Sequence, residues 1–403
     1  MITWLFDNRN QFGFVPNLVK DFSLRAGTDA WHDLCIKAPY SYEFRFLKYC
    51  MLDKVPFRCQ LTRSETWEHP AYYPVNLNFF DLDIDFFELM EPHSLELLRQ
   101  GKFKFLMYYS EGDDVDSTGI DARINELLVK HNISKENFVF VTANRLLDKR
   151  GPYVYFPDDE LYYRLLHINK KDWIKSVSLG KRKHTFTCLN RADKLWRRIY
   201  ASKLYSLGLL SKAQFSYTGY QYETPAVNEE STKTWESLDT NLIENLSAFE
   251  LGIPYKCDNL SDKDHNDHKL IYGPHFMDSY WQFVVETHFD QHTCFITEKT
   301  FKCILNLQPF VIVGNYYTLK TLHNLGYKTF NNVINETYDL LLNPVERMQE
   351  LFSLSYSICQ RGDADQIHIM KMIKSVLEYN QQHFLAPKTQ RIMSLIKFLD
   401  YTK

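Results

Sequence analysis

Residues 279–330 read SYWQFVVETHFDQHTCFITEKTFKCILNLQPFVIVGNYYTLKTLHNLGYKTF. The apolar run at 309–314, PFVIVG, lies between proline and glycine, which is typical of a strand buried inside a parallel sheet. Helical spacing is expected before this run, over 302–307, and after it, over 317–325, with Gly326 in the C-cap position. The order of loop, helix, strand, loop and helix predicts part of a doubly wound α/β sheet.

Two charged residues, Glu298 and Lys299, lie where the loop meets the first of these helices. In a doubly wound sheet, such junctions face the crevice at the carboxyl ends of the strands, where nucleotides bind. Glu298 can accept hydrogen bonds from ribose hydroxyls, and Lys299 can pair with a phosphate. A surface Glu–Lys pair on an ordinary α/β domain gives the same pattern, so both interpretations stay open at this point.

The segment Thr297-Glu298-Lys299, followed by an apolar helix and a P-x-V-x-x-G strand, resembles the donor-binding segment of the GT-B glycosyltransferases. The fucosyltransferases have a similar T-E-K element, and the bacterial β-Kdo transferases of surface-polysaccharide assembly are a second similar group. The resemblance implies an α/β chain of the GT-B fold. That fold has two Rossmann-like domains, a cleft between them and a C-terminal helix that crosses back to the first domain.

A second element precedes this one in the chain. The strand-like run HTFTCL at 184–189 leads into the turn Asn190-Arg191 and a helical span that carries Arg197. This order is similar to the opening of the fucosyltransferase donor domain. Backbone N–H groups at a helix N-terminus favour an anion, and a guanidinium can bind a pyrophosphate or carboxylate in bidentate fashion. We expect Asn190, Arg191 and Arg197 to bind the donor, and the alternative is a helix with a basic solvent-exposed face.

Three further residues complete the predicted donor side. Glu286, which we place on a helix before Glu298, is expected to line the sugar pocket, and the alternative is a buried, hydrogen-bonded helix residue. His265 and His275 are expected near the nucleotide, with His265 also a candidate catalytic group. The sequence at 262–268, DKDHNDH, has a spacing that could bind a metal, but a polar loop gives the same pattern.

Two carboxylates are candidates for the catalytic base on the acceptor side. Glu111 follows the apolar run FKFLMYY at 103–109, and Glu160 lies in the acidic group Asp158-Asp159-Glu160 at a helix start. Carboxylates at the carboxyl end of a parallel strand face the binding crevice, and a positioned carboxylate can accept the proton of an acceptor hydroxyl. An ordinary turn and a helix-capping group of acids are the alternatives.

The segment Asp81-Leu-Asp83-Ile-Asp85 contains the D-x-D pattern that holds a divalent ion in the other transferase fold, GT-A. A metal-dependent GT-A transferase is therefore a rival prediction. The two elements after residue 184 favour GT-B, which the resemblance implies does not need that ion. We therefore expect no metal in the site and no cofactor.

Length and composition limit the remaining possibilities. A chain of 403 residues predicts two domains, and a net charge of −3 gives no footprint for nucleic acid. The Lys- and Ser-rich stretch 170–183 is expected to be a solvated linker between domains at 1–175 and 184–380, with a helix at 388–403 returning to the first. Eight scattered cysteines, a start unlike a signal peptide and the lack of a long apolar run predict a cytoplasmic protein, with peripheral membrane association left open.

The expected reaction is transfer of a sugar from a nucleotide-sugar donor to a glycan or lipid-linked glycan acceptor in surface-polysaccharide synthesis. The resemblance to β-Kdo transferases implies CMP-Kdo as the first expected donor, whose sugar carboxylate also suits the local arginines and lysines, and GDP-fucose is the second. The sequence leaves open whether the anomeric configuration is inverted or retained. A non-catalytic glycan- or nucleotide-binding module is the rival from another class, since fold alone does not distinguish it from an enzyme.

Overall fold

The structure is a computed structural model, and it describes residues 2–7, 45–64, 67, 70–77, 83, 85–88, 90–148, 150–220, 246, 248–258 and 270–401. The chain forms two compact units, the first made of residues 1–165 and 387–403 and the second of residues 166–386. Each unit contains a parallel sheet with helices. The predicted α/β class with two Rossmann-like units is confirmed.

The strands are β1 Thr3–Phe6, β2 Arg58–Leu61, β3 Ala71–Leu77, β4 Lys104–Tyr109, β5 Phe138–Thr142, β6 Tyr153–Tyr155, β7 His184–Ala192, β8 Ala213–Tyr220, β9 Ser279–Val285 and β10 Phe310–Val313. The helices are α1 Arg45–Leu52, α2 Pro92–Arg99, α3 Ile120–Lys130, α4 Asp158–His167, α5 Leu195–Ser206, α6 Pro274–Met277, α7 Glu298–Leu305, α8 Thr318–Asn324, α9 Pro344–Gln360, α10 Asp363–Leu385 and α11 Thr389–Tyr401. The strand FVFVT at 138–142 has the bounds that its apolar run predicts.

The sheet of the first unit has the strand order β2-β1-β3-β4-β5-β6, and every pairing in it is parallel. One hydrophobic cluster contains Trp4 from β1, Phe46 from α1 and Leu106 from β4. Helix α11 adds four buried residues to the same cluster: Ile392, Leu395, Ile396 and Leu399. These apolar positions recur at helical spacing, so one face of α11 is buried within the first unit.

Glu160 belongs to the attachment of that last helix. Its side chain is fully buried and forms ion pairs with Lys388, at 3.3 Å, and with Arg391 at the start of α11. A carboxylate with no solvent exposure and two cationic partners cannot receive a proton from an acceptor hydroxyl. The predicted catalytic role of Glu160 is therefore corrected to a structural one.

The sheet of the second unit has the order β10-β9-β7-β8, again with parallel pairings throughout. Strand β9 lies between β7 and β10, and all its residues from Ser279 to Val285 are buried. The prediction that placed Glu286 on a helix is wrong, because this residue directly follows β9. A strand covered on both faces has no polar alternation, so its apolar run resembles a buried helix in sequence.

In the stretch predicted to be a solvated linker, the side chains of Lys181 and Lys183 are 76% and 73% exposed, whereas Arg182 between them is an exception. The Arg182 guanidinium is buried and donates to the backbone oxygens of Phe276, at 3.1 Å, and Ser178, at 3.2 Å, and to Gln308 Oε1, at 3.0 Å. Burial lowers the pKa of Arg182 to about 10, which still leaves it charged at neutral pH. Arg182 therefore connects three segments of the second unit.

The second helix of the 279–330 stretch ends as its sequence predicts. Helix α8 is followed by Gly326, whose φ of +85° lies in the left-handed region. A Cβ atom at this position would come within 2.9 Å of the His383 ring. Glycine is therefore required both by the backbone conformation and by the close approach of α10.

Candidate functional site

The strand order of the second unit defines a switch point between β7 and β9. From β7 the chain continues to β8 on one side, whereas β9 is followed by β10 on the other side. The connections that leave the two strands therefore diverge, which opens a crevice at their carboxyl ends. Asn190 lies near the end of β7 and Glu286 follows β9, so both predicted residues belong to this edge.

The Glu286 carboxylate organises the start of helix α7. It accepts hydrogen bonds from Thr297 N, at 3.3 Å, from Thr297 Oγ1, at 2.5 Å, and from Thr300 Oγ1, at 2.7 Å. Gly314 lies against Glu286, since a Cβ atom added there would be 3.3 Å from the glutamate Cβ. Glu286 is buried. Glu286 is therefore a buried, hydrogen-bonded residue, as in the alternative interpretation of the sequence, but it lies at the end of a strand and not on a helix.

Glu298 and Lys299 begin the eight-residue helix α7, and Thr297 is its N-cap residue. Thr297 Oγ1 accepts a hydrogen bond from Lys299 N at 3.3 Å. The side chains of Lys299 and Glu298 keep 31% and 25% of their surface exposed, and they face each other at 3.3 Å. A partly exposed ion pair adds little to stability, so both groups can exchange this contact for a ligand.

Three cations surround the segment that follows β9. Lys194 Nζ donates to Thr287 O at 2.9 Å, and Lys299 Nζ donates to Thr287 Oγ1 at 3.3 Å. Arg197 is buried, and its Nη2 donates to Glu286 O at 3.2 Å. Lys194 is a member of this group that the sequence analysis missed. The signal was available, because Lys194 lies in the connection between β7 and α5, shortly after Asn190 in the sequence.

The protonation of His288 reflects this concentration of positive charge. Burial, together with Lys194, Lys299 and Arg197, lowers the pKa of the imidazole to about 3. His288 is therefore neutral at physiological pH, because a further positive charge is unfavourable there. The same field favours a bound anion, and the N-terminus of α7 contributes in the same direction.

Two asparagines present unsatisfied polar atoms at this edge. Asn190 donates to Cys188 Sγ at 3.3 Å, but its buried Oδ1 has no hydrogen-bond partner in the described part of the chain. The same holds for both polar side-chain atoms of Asn315, which follows β10 and is buried. Buried polar atoms without partners are costly and often mark a ligand position. Asn315 is a second residue that the sequence analysis missed.

Arg191 lies at an irregular point of β7, where the register with β8 shifts between Asn190 and Ala192. Its carbonyl oxygen accepts a hydrogen bond from Thr218 Oγ1 at 2.9 Å, and the residue is partly exposed. A role for the Arg191 guanidinium in donor binding remains a prediction.

His275 lies at the other end of the strands. It belongs to α6, which leads into the amino end of β9, and its carbonyl oxygen accepts from Thr187 Oγ1 at 3.0 Å. The seven residues of β9 extend for roughly 20 Å between the two edges of the sheet. The predicted position of His275 beside the nucleotide is therefore corrected. His265 lies outside the described residues.

In the first unit, Glu111 follows β4 and is partly exposed, and its carbonyl oxygen accepts from Ala143 N at 3.1 Å. Its catalytic role remains a prediction. Of the D-x-D segment, Asp81 lies outside the described residues and Asp83 is exposed. Burial raises the pKa of Asp85, but hydrogen bonds from His131 and Lys130 outweigh it and lower that pKa below its usual value.

The sequence matches no protein-family model and no curated protein. Among solved structures, the chain is similar to the α,α-trehalose-phosphate synthase (UDP-forming) of Burkholderia vietnamiensis, with a TM-score of 0.37, 10% identity and coverage of 98% of this chain and 86% of that chain. The α,α-trehalose 6-phosphate synthase of Burkholderia multivorans has a TM-score of 0.37, 12% identity and coverage of 97% and 82%. Similarity at this level carries no argument about activity.

Within the described residues, none of the helices combines the length and the apolar character that crossing a membrane requires.

Proposed function

We propose that the chain is a nucleotide-sugar-dependent glycosyltransferase with the GT-B fold, whose donor binds at the carboxyl edge of β7 and β9. The observation that carries this proposal is the convergence of Lys194, Arg197 and Lys299 on the segment that follows β9, at a topological switch point. This combination of a helix N-terminus, cations and a crevice suits the phosphate of a nucleotide.

Each polar group at this edge has a separate task in the proposed complex. Lys194 and Lys299 neutralise the donor phosphate, while Arg197 strengthens the positive field from its buried position. Glu298 accepts hydrogen bonds from the ribose hydroxyls, since it is partly exposed beside the phosphate position. The amide groups of Asn190 and Asn315 bind the nucleotide or the sugar through their unsatisfied atoms.

In the reaction, the acceptor oxygen forms a bond to the anomeric carbon while the bond from that carbon to the nucleotide phosphate breaks. The acceptor proton passes to a base, for which Glu111 is our candidate. The departing nucleotide carries away the bonding electrons as added negative charge, which the cations stabilise. The site itself needs no metal in this scheme.

CMP-Kdo remains the first donor, because a sugar carboxylate adds a second anion for these cations, and GDP-fucose is the second. We place the acceptor among the glycans or lipid-linked glycans of surface-polysaccharide synthesis, at the inner face of the membrane.

A thermal-shift series with CMP, UMP, GDP, UDP and dTDP tests the proposal. A ligand that binds only the folded state raises the melting temperature, so one nucleotide should stand out from the others. Incubation of the corresponding nucleotide-sugar with an acceptor should then release free nucleotide. Binding without release would favour the non-catalytic module, and a series without any shift would remove the donor site.

We predict that Lys299→Ala and Glu298→Ala each weaken nucleotide binding by about 10- to 150-fold, which is the loss of one charge-assisted hydrogen bond worth roughly 1.5–3 kcal/mol. Both side chains are partly exposed, so the melting temperature of the free protein should change little. Calorimetry with the nucleotide selected above gives the affinity. Lys374→Ala, in an exposed ion pair on α10, is the matched control. Wild-type affinity in both site variants would contradict the assignment.

We predict that transfer activity survives a short treatment with EDTA that leaves the protein folded, because lysine and arginine side chains supply the positive charge at the site. The measurement is nucleotide release before and after chelation, with the melting temperature recorded in parallel. Loss of activity in a folded protein, restored by Mn²⁺ or Mg²⁺, would favour the GT-A alternative.

A further inference from the structure

A cluster of three different metal-ligand types is formed by two residues that follow Tyr255, which pairs with β8, and by one residue just before β9. Its members are Cys257, Asp258 and His275, whose thiol, carboxylate and imidazole atoms all lie within 4.8 Å of one another. His275 Nε2 is 2.8 Å from Asp258 Oδ2, and Cys257 Sγ is 3.6 Å from the same oxygen. The side chains of Asp258 and His275 are buried, with 3% and 8% of their surface exposed.

We propose that Cys257, Asp258 and His275 bind one zinc-class divalent metal ion. Zinc takes sulfur, nitrogen and oxygen ligands in tetrahedral geometry at about 2.0–2.3 Å, which puts the ligand atoms about 3.3–3.6 Å apart. The separations of 2.8 and 3.6 Å are close to this range, so a small adjustment of the side chains completes the site. Three protein ligands leave the fourth position for a water molecule.

The backbone on both sides of the cluster is fixed before any metal binds. Tyr255, just before Cys257, forms two backbone hydrogen bonds of 2.9 Å with Tyr217 in β8. On the other side, His275 N donates to Tyr272 O at 3.0 Å within the turn that starts α6. Because the two chain segments that carry the ligands are each held by their own hydrogen bonds, metal binding does not have to order the backbone around the ligands.

The chemical types of the three ligands also select the class of metal. A thiolate and an imidazole favour zinc and similar transition metals, whereas magnesium and calcium prefer oxygen ligands throughout. On binding, the Cys257 thiol loses its proton to solvent and the sulfur keeps the bonding electron pair, so no oxidant or reductant is involved.

A second cluster in the described residues, Asp85, Glu88 and His131, serves as an internal comparison. There, Lys130 Nζ lies 2.8 Å from a carboxylate oxygen of both acidic residues. An ammonium group of the chain thus already supplies the positive charge that a metal would bring. This cluster also contains no sulfur, which gives the two sites different spectra with cobalt.

The proposed metal joins two segments that are 17 residues apart in sequence. A cross-link of this kind reduces the freedom of the unfolded chain and so favours the folded state. Since none of the three ligands is among the residues proposed to bind the donor, we expect the metal to affect the stability of the second unit rather than the transfer reaction.

The test uses the full chain, purified with reductant, treated with chelator and then titrated with Co²⁺ in the absence of oxygen. We expect one equivalent to produce a thiolate-to-cobalt charge-transfer band, and Zn²⁺ to displace the cobalt and remove that band. Zn²⁺ should also raise the melting temperature, and equal concentrations of Mg²⁺ or Ca²⁺ should not.

Cys257→Ser should abolish the charge-transfer band, because oxygen replaces the only sulfur in the cluster. Of the six cysteines whose side chains the structure describes, Cys257 alone is partly exposed, and Cys294→Ala is the matched control, which should keep the band. His275→Gln provides a second variant if the first does not fold. The absence of a band in the folded wild-type protein, or its persistence in Cys257→Ser, would overturn the proposal.

Discussion

Glu160→Gln is expected to lower the free energy of unfolding of the first unit by about 3–5 kcal/mol, the usual cost of removing one partner from a buried ion pair. The glutamate is fully buried between Lys388 and Arg391. A neutral amide in its place removes the negative charge that pairs with these two cations in a region of low polarity. The substitution keeps the size of the side chain, so a change in packing would not account for such a loss.

Denaturant unfolding at neutral pH, followed by tryptophan fluorescence, measures this effect. Trp4 lies in the same hydrophobic cluster as the buried face of α11, so part of the signal from the seven tryptophans reports on the first unit. Glu96→Gln is the matched control, because Glu96 pairs with Arg99 on the surface with 54% of its side chain exposed. That variant should stay within about 1 kcal/mol of the wild type. Equal stability of the two variants would show that the Glu160 cluster contributes nothing.

Glu286→Gln is expected to lower the unfolding free energy by about 3 kcal/mol and nucleotide affinity by at least about tenfold, because hydrogen bonds to a buried charge are each worth roughly 1.5–3 kcal/mol. The carboxylate accepts from the N–H and the hydroxyl of Thr297 and from the hydroxyl of Thr300. A glutamine amide offers one acceptor oxygen and turns its NH₂ group toward the remaining donors. The start of α7, with Glu298 and Lys299, then loses its fixed position.

Thr300→Val and Glu350→Gln separate positioning from general destabilisation. Thr300→Val removes a single donor to Glu286, so its effect on affinity should be intermediate. Glu350, exposed on α9, should tolerate the same Glu-to-Gln change without effect on either quantity. Calorimetry and thermal unfolding of all variants give the comparison. Reduced stability with unchanged affinity in Glu286→Gln would contradict a positioning role.

Several features of the fold could be predicted because they depend on local chemistry. The run FVFVT at 138–142 is a strand because short segments rich in β-branched and aromatic residues pack well within a sheet. Gly326 ends α8 because glycine adopts the left-handed backbone conformation at little cost, whereas other residues rarely adopt it. In the candidate site, Glu298 and Lys299 lie at a loop-to-helix junction as predicted, although the helix begins at Glu298 itself rather than at 302.

The errors concern properties that only tertiary structure creates. Arg182 looks like a linker residue beside Lys181 and Lys183, yet it donates to acceptors on Phe276 and Gln308, which lie 94 and 126 residues further along the chain. Glu160 resembles a helix-capping acid, and its partners at 388 and 391 come more than two hundred residues later. The misplacement of His275 has another cause, because the direction of the chain alone indicates its position. A residue just before a parallel strand lies at the amino edge of the sheet, opposite the binding crevice at the carboxyl edge.

The first unit is assembled from two separate parts of the chain, since α11 follows the whole of the second unit. A ribosome therefore completes residues 166–386 before it makes the helix that covers Trp4, Leu106 and their neighbours. Domains normally fold in the order of their synthesis, but here the second unit can reach its native state first. We therefore expect the amino-terminal sheet to keep the apolar surface that α11 covers exposed until the last helix has been made, and the nascent chain to be prone to aggregation during this interval.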